Sequence, residues 1–167
     1  MSTKVKWSPS DFPGKISKYP EALKETKLSA LEESKDEVAK QAVQNIISSG
    51  KVYTKGTIDS ILGGPESLTK VVSEHRAKVG STAISAIVLE HGRRPGKMPP
   101  VSAIMPWAAT KAGDGSEKAA YLIARKIGRT GTKGSYVILR ALSQSKRAME
   151  QIVIKVSEEA LERLGFK

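Results

Sequence analysis

The run GRTGTKGS at residues 128–135 has the composition of a phosphate-binding loop. In such a loop, glycine amides, a lysine ammonium and a hydroxyl together surround the phosphates. The spacing here argues against that chemistry. A P-loop reads Gly-x-x-x-x-Gly-Lys-Ser/Thr after a buried strand. In this chain two residues separate Gly128 from Gly131, Gly134 follows Lys133, and no buried strand precedes the run. The segment reads instead as a turn between helices that leaves Arg129 and Lys133 exposed. Glu90 and His91 are adjacent at the end of an apolar run. As neighbours on a strand they would point to opposite faces and form no acid–base pair. His75 and His91 are the only histidines, and neither lies in a two-histidine metal motif. There is no Cys, which excludes a disulfide scaffold, a Cys-ligated zinc site and a thiol nucleophile. No nucleophile elbow or paired-carboxylate signature is present. The expectation is a protein without catalytic residues, cofactor or metal, and not an enzyme.

The remaining chemistry is positive charge. The chain carries 28 basic and 17 acidic residues, a net charge of +11. The excess lies in the middle and later part, with residues 18–50 slightly acidic. Arg93, Arg94 and Lys97 sit in a loop stiffened by Pro95, Pro99 and Pro100. Arg125, Lys126, Arg129, Lys133, Arg140, Lys146 and Arg147 extend the field. Such a field suits a polyanion or an acidic protein surface. Phosphate contacts need only these charges, whereas base stacking needs exposed aromatics. Only Tyr121 and Tyr136 interleave with the cluster, so a general electrostatic surface is favoured over a sequence reader.

The elements that must position these residues follow from periodicity. Residues 1–20 read as an irregular arm, because Pro9, Pro13, Gly14 and Pro20 interrupt any helix. Leu28, Leu31, Val38, Ala42 and Ile46 then recur on one face, predicting a helix from Glu21 to Ser49 that Gly50 stops. Residues 51–64 read as a loop or short turn. Leu68 to Glu90 predicts two or three antiparallel strands, the last being the apolar run Ala83 to Leu89. His91 to Pro100 is a loop. A helix follows over Val101 to Lys111, with Pro106 expected to kink or shorten it. Gly113, Asp114 and Gly115 form a turn. Ser116 N-caps a helix to about Ile127, with Ala119, Leu122, Ile123 and Ile127 inward. One final helix runs from about Tyr136 to Leu164, its stripe including Leu142, Met149, Val153 and Val156, and Gly165 ends it. The expected fold class is α+β: a long N-terminal helix, a small antiparallel sheet, short helices and a long C-terminal helix.

The 167 residues are enough for one domain over 21–167 behind the arm at 1–20. Hydrophobic residues make up 39% and aromatics 5%, so the core must be aliphatic. No stretch is long and apolar enough to span a bilayer, and no apolar segment follows the basic N-terminus as in a signal peptide. A soluble product of the cytoplasm is expected, with no membrane partner.

Two blocks carry a more specific signal. IVLEHGRRPGKMPPVSAIMPWAATK, residues 87–111, resembles a family of small tailed-bacteriophage virion proteins, the neck, tail-completion, minor tail or head–tail joining proteins. Glu90, Gly92, Arg94, Pro95, Met98, Pro99, Pro100 and Trp107 match its pattern. His91 stands where an aromatic is common, and Arg93 where Thr is common. AAYLIARKIGRTGTKGSYVILRAL, residues 119–142, resembles the family's helix, basic glycine turn and return into a final helix. Ala124, Arg125, Ile127, Gly131, Thr132 and Leu142 fit. The blocks keep the family's order and cover roughly a third of the chain.

The resemblance implies a structural virion protein at the head–tail junction, made in the host cytoplasm. It would form a homo-oligomeric ring, a hexamer or dodecamer, between connector or head-closure proteins and tail-terminator or tail-tube proteins. Loops facing the channel would meet genomic DNA. Glu90, Arg93, Arg94, Pro95, Lys97, Trp107, Arg129 and Lys133 would serve subunit or partner interfaces. The alternative from charge alone is a basic nucleic-acid-binding module. Salt discriminates the two: phosphate contacts weaken steeply with salt, whereas a ring held by apolar faces persists.

Overall fold

The computed structural model describes residues 12–50, 55–112 and 116–165. Helix α1 (Phe12–Ser49) is followed by α2 (Lys55–Leu62), a hairpin of β1 (Lys70–Ser73) and β2 (Arg76–Lys78), and α3 (Ile84–His91). Then come β3 (Gly92–Arg93), α4 (Val101–Ala112), α5 (Glu117–Thr130) and β4 (Thr132–Lys133), and last α6 (Val137–Gln144) and α7 (Lys146–Arg163). The class is α+β with more helix than strand, as the patterning indicates.

Helix α1 is the spine. The hairpin, α2, α6 and α7 all pack against it. The core is aliphatic: Val38, Ala39, Ala42 and Ile46 of α1 meet Ile61 of α2, Leu89 of α3, and Val137 and Ala141 of α6. Alanines at the crossings let the helix axes approach closely. Beneath the α1–α6 crossing, buried Asn45 donates from Nδ2 to the Val137 carbonyl at 3.1 Å and to Gln144 Oε1 at 2.9 Å. These bonds satisfy the amide in a low-dielectric site and fix where α6 crosses α1.

Several expectations change. The helix begins at Phe12 and runs through Pro20, so the irregular arm does not extend over 12–20; residues 1–11 lie outside the described set. Residues 55–62 are helical, and 51–54 of the expected loop lie outside the described residues. In α2 the buried side chains are Thr57, Ser60 and Ile61. Thr57 Oγ1 bonds Ser85 Oγ at 2.9 Å, and Ser60 Oγ donates to the Thr57 carbonyl at 2.8 Å. Buried hydroxyls hide the helical period from an apolar pattern. The apolar run expected as a strand is helix α3: Ala86, Leu89 and Glu90 are buried while Ile84 and Ile87 are exposed. That is helical spacing, and a short buried helix and a short buried strand look alike in composition.

The expected final helix is two helices that meet at Ser145, which is buried and ends α6 with its amide on the Ala141 carbonyl. Leu122, Leu142 and Val153, expected inward, are exposed. Ser116 caps α5 as expected, its hydroxyl accepting from the Ala119 amide at 3.2 Å. Pro106 lies inside α4, which continues to Ala112. The expected turn at 113–115 lies outside the described residues.

Candidate functional site

Strands β3 and β4 bring the two signal-bearing blocks together. Gly92 pairs with Lys133 and Arg93 with Thr132, antiparallel. The contact is backbone on backbone. A Cβ at Gly131, whose φ is +68°, would fall inside the envelope of the Arg93 carbonyl oxygen. A Cβ at Gly92, with φ +79°, would strike the Thr132 carbonyl oxygen. Only glycine fits either position, for its dihedral and for its missing side chain. The Gly96 amide donates to the Gly128 carbonyl at 2.8 Å, which extends the joint to the end of α5. The glycines of GRTGTKGS therefore close a seam against the other block.

The seam joins α3 and α6 of the body to a lobe in which α4 packs on α5. Glu90 anchors its inner end. It is 9% exposed, and its carboxylate accepts from the amides of Ile138 at 2.9 Å and Leu139 at 3.1 Å. Those are amides of the first turn of α6, where a helix leaves donors unsatisfied and favours negative charge. Tyr136 has no capping side chain and sits in the left-handed region at φ 49°. Its amide donates to the Glu90 carbonyl at 3.2 Å. One residue of α3 thus caps α6 through its side chain and steadies the preceding residue through its backbone. Among the eight expected interface residues Glu90 stands apart, because it faces into the subunit and its carboxylate is occupied there. It and His91 are helix neighbours rather than strand neighbours, and His91 is exposed.

The other seven lie on the seam and the lobe. Arg94, Pro95, Lys97, Arg129 and Lys133 are exposed, and Arg93 and Trp107 are half-buried. An Arg93 guanidinium nitrogen donates to the Lys97 carbonyl, which holds the PGK loop against β3. Ion pairs among the described residues join Lys24–Glu74, Lys35–Asp36, Lys155–Glu33 and Lys155–Glu159. None involves a cation of the seam or lobe. Residues 91–147 hold twelve basic and two acidic residues, which accounts for almost the whole net charge. An open depression of about 480 Å³ lies along α5, lined by Leu122, Arg125, Lys126, Arg129 and Thr130. The arrangement offers a dense field of cations that, among the described residues, enter no ion pair. Among the described residues no three His, Cys, Asp or Glu side chains gather closely enough to hold a metal ion.

No protein-family model matches the chain, and no curated protein or solved structure is significantly similar to it. No helix among the described residues is long and apolar enough to cross a membrane.

Proposed function

We propose that this protein is a structural, non-enzymatic part of a tailed-phage virion, a neck or tail-completion protein that assembles as a homo-oligomeric ring at the head–tail junction. The carrying observation is that the two blocks resembling that family, which residues 112–118 separate in sequence, pair through β3 and β4 in one glycine-closed seam. The reading also accounts for the exposed apolar side chains on several helices, including Ile84, Leu139 and Ile154. An assembling subunit buries such surface against its neighbours. Its partners would be further copies of itself, connector or head-closure proteins on one side and tail-terminator or tail-tube proteins on the other.

Arg93→Glu combined with Arg94→Glu tests the role of the seam loop. The doubly substituted monomer still folds, at a cost of about 1 kcal/mol, because Arg94 is exposed whereas half-buried Arg93 gives up its bond to the Lys97 carbonyl. Particle assembly or infectivity falls when the substitutions are carried in the phage. Unaltered assembly and infectivity contradict the role.

The concentration of charge in residues 91–147 favours one second reading, a basic nucleic-acid-binding module. It predicts a monomer whose affinity for duplex DNA drops steeply with salt.

A further inference from the structure

Helices α5 and α7 each carry a solvent face of the same design and opposite sign. On α5, Ala120 and Ala124 are buried. At about 100° per residue, Lys118, Leu122, Arg125 and Arg129 line the opposite side. On α7, Val156 is the buried residue, and Glu150, Ile154, Glu158 and Leu161 line the side away from it, with Arg147 adding one cation at the N-terminal end of that side. All of these facing side chains are exposed. Leu122 is 53% exposed and Ile154 59%, so each charged face has an uncovered apolar centre. The stripes span nearly equal lengths, 118–129 and 150–161. Among the described residues, neither the three cations of the first nor Glu150 and Glu158 of the second enter an ion pair. The two helices belong to different parts of the subunit, α5 to the lobe and α7 to the body packed on α1.

We infer that the α5 face of one copy docks on the α7 face of a second copy of this chain. Charge complementarity names the occupant. A face of cations around a leucine is matched by a face of carboxylates around an isoleucine and a leucine, and this chain supplies both. Opposite charges set orientation and register, while burial of Leu122 against Ile154 and Leu161 excludes water. Because each copy carries both faces, the contact is heterologous and repeats from subunit to subunit until it closes. Nucleic acid is the weaker occupant for α5, because the apolar centre gains nothing against phosphates. This inference rests on the ring reading and names the surfaces that would build it.

Two variants test it: Arg125→Glu with Arg129→Glu, and Glu150→Lys with Glu158→Lys. All four sites are exposed, so far-UV circular dichroism should match the parent. Light scattering then reads the mass of each variant alone and of an equimolar mixture. The parent assembles, each variant alone is a monomer with association weakened at least about tenfold, and the mixture reassembles because each reversed face meets its complement. Assemblies that survive in both variants overturn the docking surfaces and leave the ring standing. A parent that stays monomeric at all concentrations overturns both. Loss of duplex-DNA binding in the α5 variant, with self-association unchanged, overturns the inference in favour of a nucleic-acid face.

Discussion

The core under α1 and the β3–β4 seam close by different means. Under α1, side chains fill space: Ile46, Ile61 and Val137 are almost wholly buried and touch across three helices. At the seam, side chains are removed so that backbones can touch, and Gly92 and Gly131 are the enabling residues. The two also differ in charge. The four ion pairs among the described residues all belong to the body, whereas the cations of the seam and lobe enter none. The body therefore holds the side-chain core, and the lobe presents a charged surface joined to it by backbone contact.

The largest test of that contrast is in the core. Ile46→Ala removes a side chain with no room to relax, and costs about 4 kcal/mol of unfolding free energy by denaturant titration. The seam answers next. Gly131→Ala adds a Cβ onto the Arg93 carbonyl in a left-handed conformation, costing about 3 kcal/mol. Hydrogen exchange should show the added opening at 92–97 and 128–134 and leave the α1 amides least affected. If α1 exchanges as fast as the seam, body and joint are one cooperative unit and the contrast fails. Glu90→Gln is smaller. It retains one acceptor but turns an amide donor toward the first turn of α6, costing about 1–2 kcal/mol, with faster exchange at Ile138 and Leu139.

The smallest effect belongs to an exposed ion pair of the body. Lys24 holds the Glu74 carboxyl below its ordinary value, first by hydrogen bonding and then by charge, at 3.1 Å. A lowered folded pKa means the pairing contributes above the unfolded carboxylate pKa and fades as pH falls through the folded one. Solvent screens the pair, so Lys24→Met should lower the melting temperature only slightly near neutral pH. In acid the two proteins should melt together.

Long periodic segments were legible in the sequence. The stripe of α1, the Ser116 cap of α5 and the approximate extent of α4 follow from apolar spacing and cap chemistry. The errors have specific causes. Buried Thr57 and Ser60 hid α2 from a pattern that counts apolar residues. In α3, a short β-branched run mimicked a strand. Pro20 predicts the end of an irregular arm, yet it lies within α1. The residues of the seam are visible in the sequence, since both blocks are rich in glycines and cations. Their pairing is not, because two-residue strands have no period and the contact joins separate segments. Glu90 stands within a motif, but capping another helix leaves no mark on local spacing.

The central claim is that this chain is an assembling structural subunit rather than a DNA-binding monomer. Light scattering on the purified protein, with and without duplex DNA at low and high salt, tests it most directly. The account predicts a defined multiple of 18.0 kDa that duplex DNA does not shift. An 18.0 kDa monomer that binds duplex DNA tightly at low salt and releases it at high salt would contradict it.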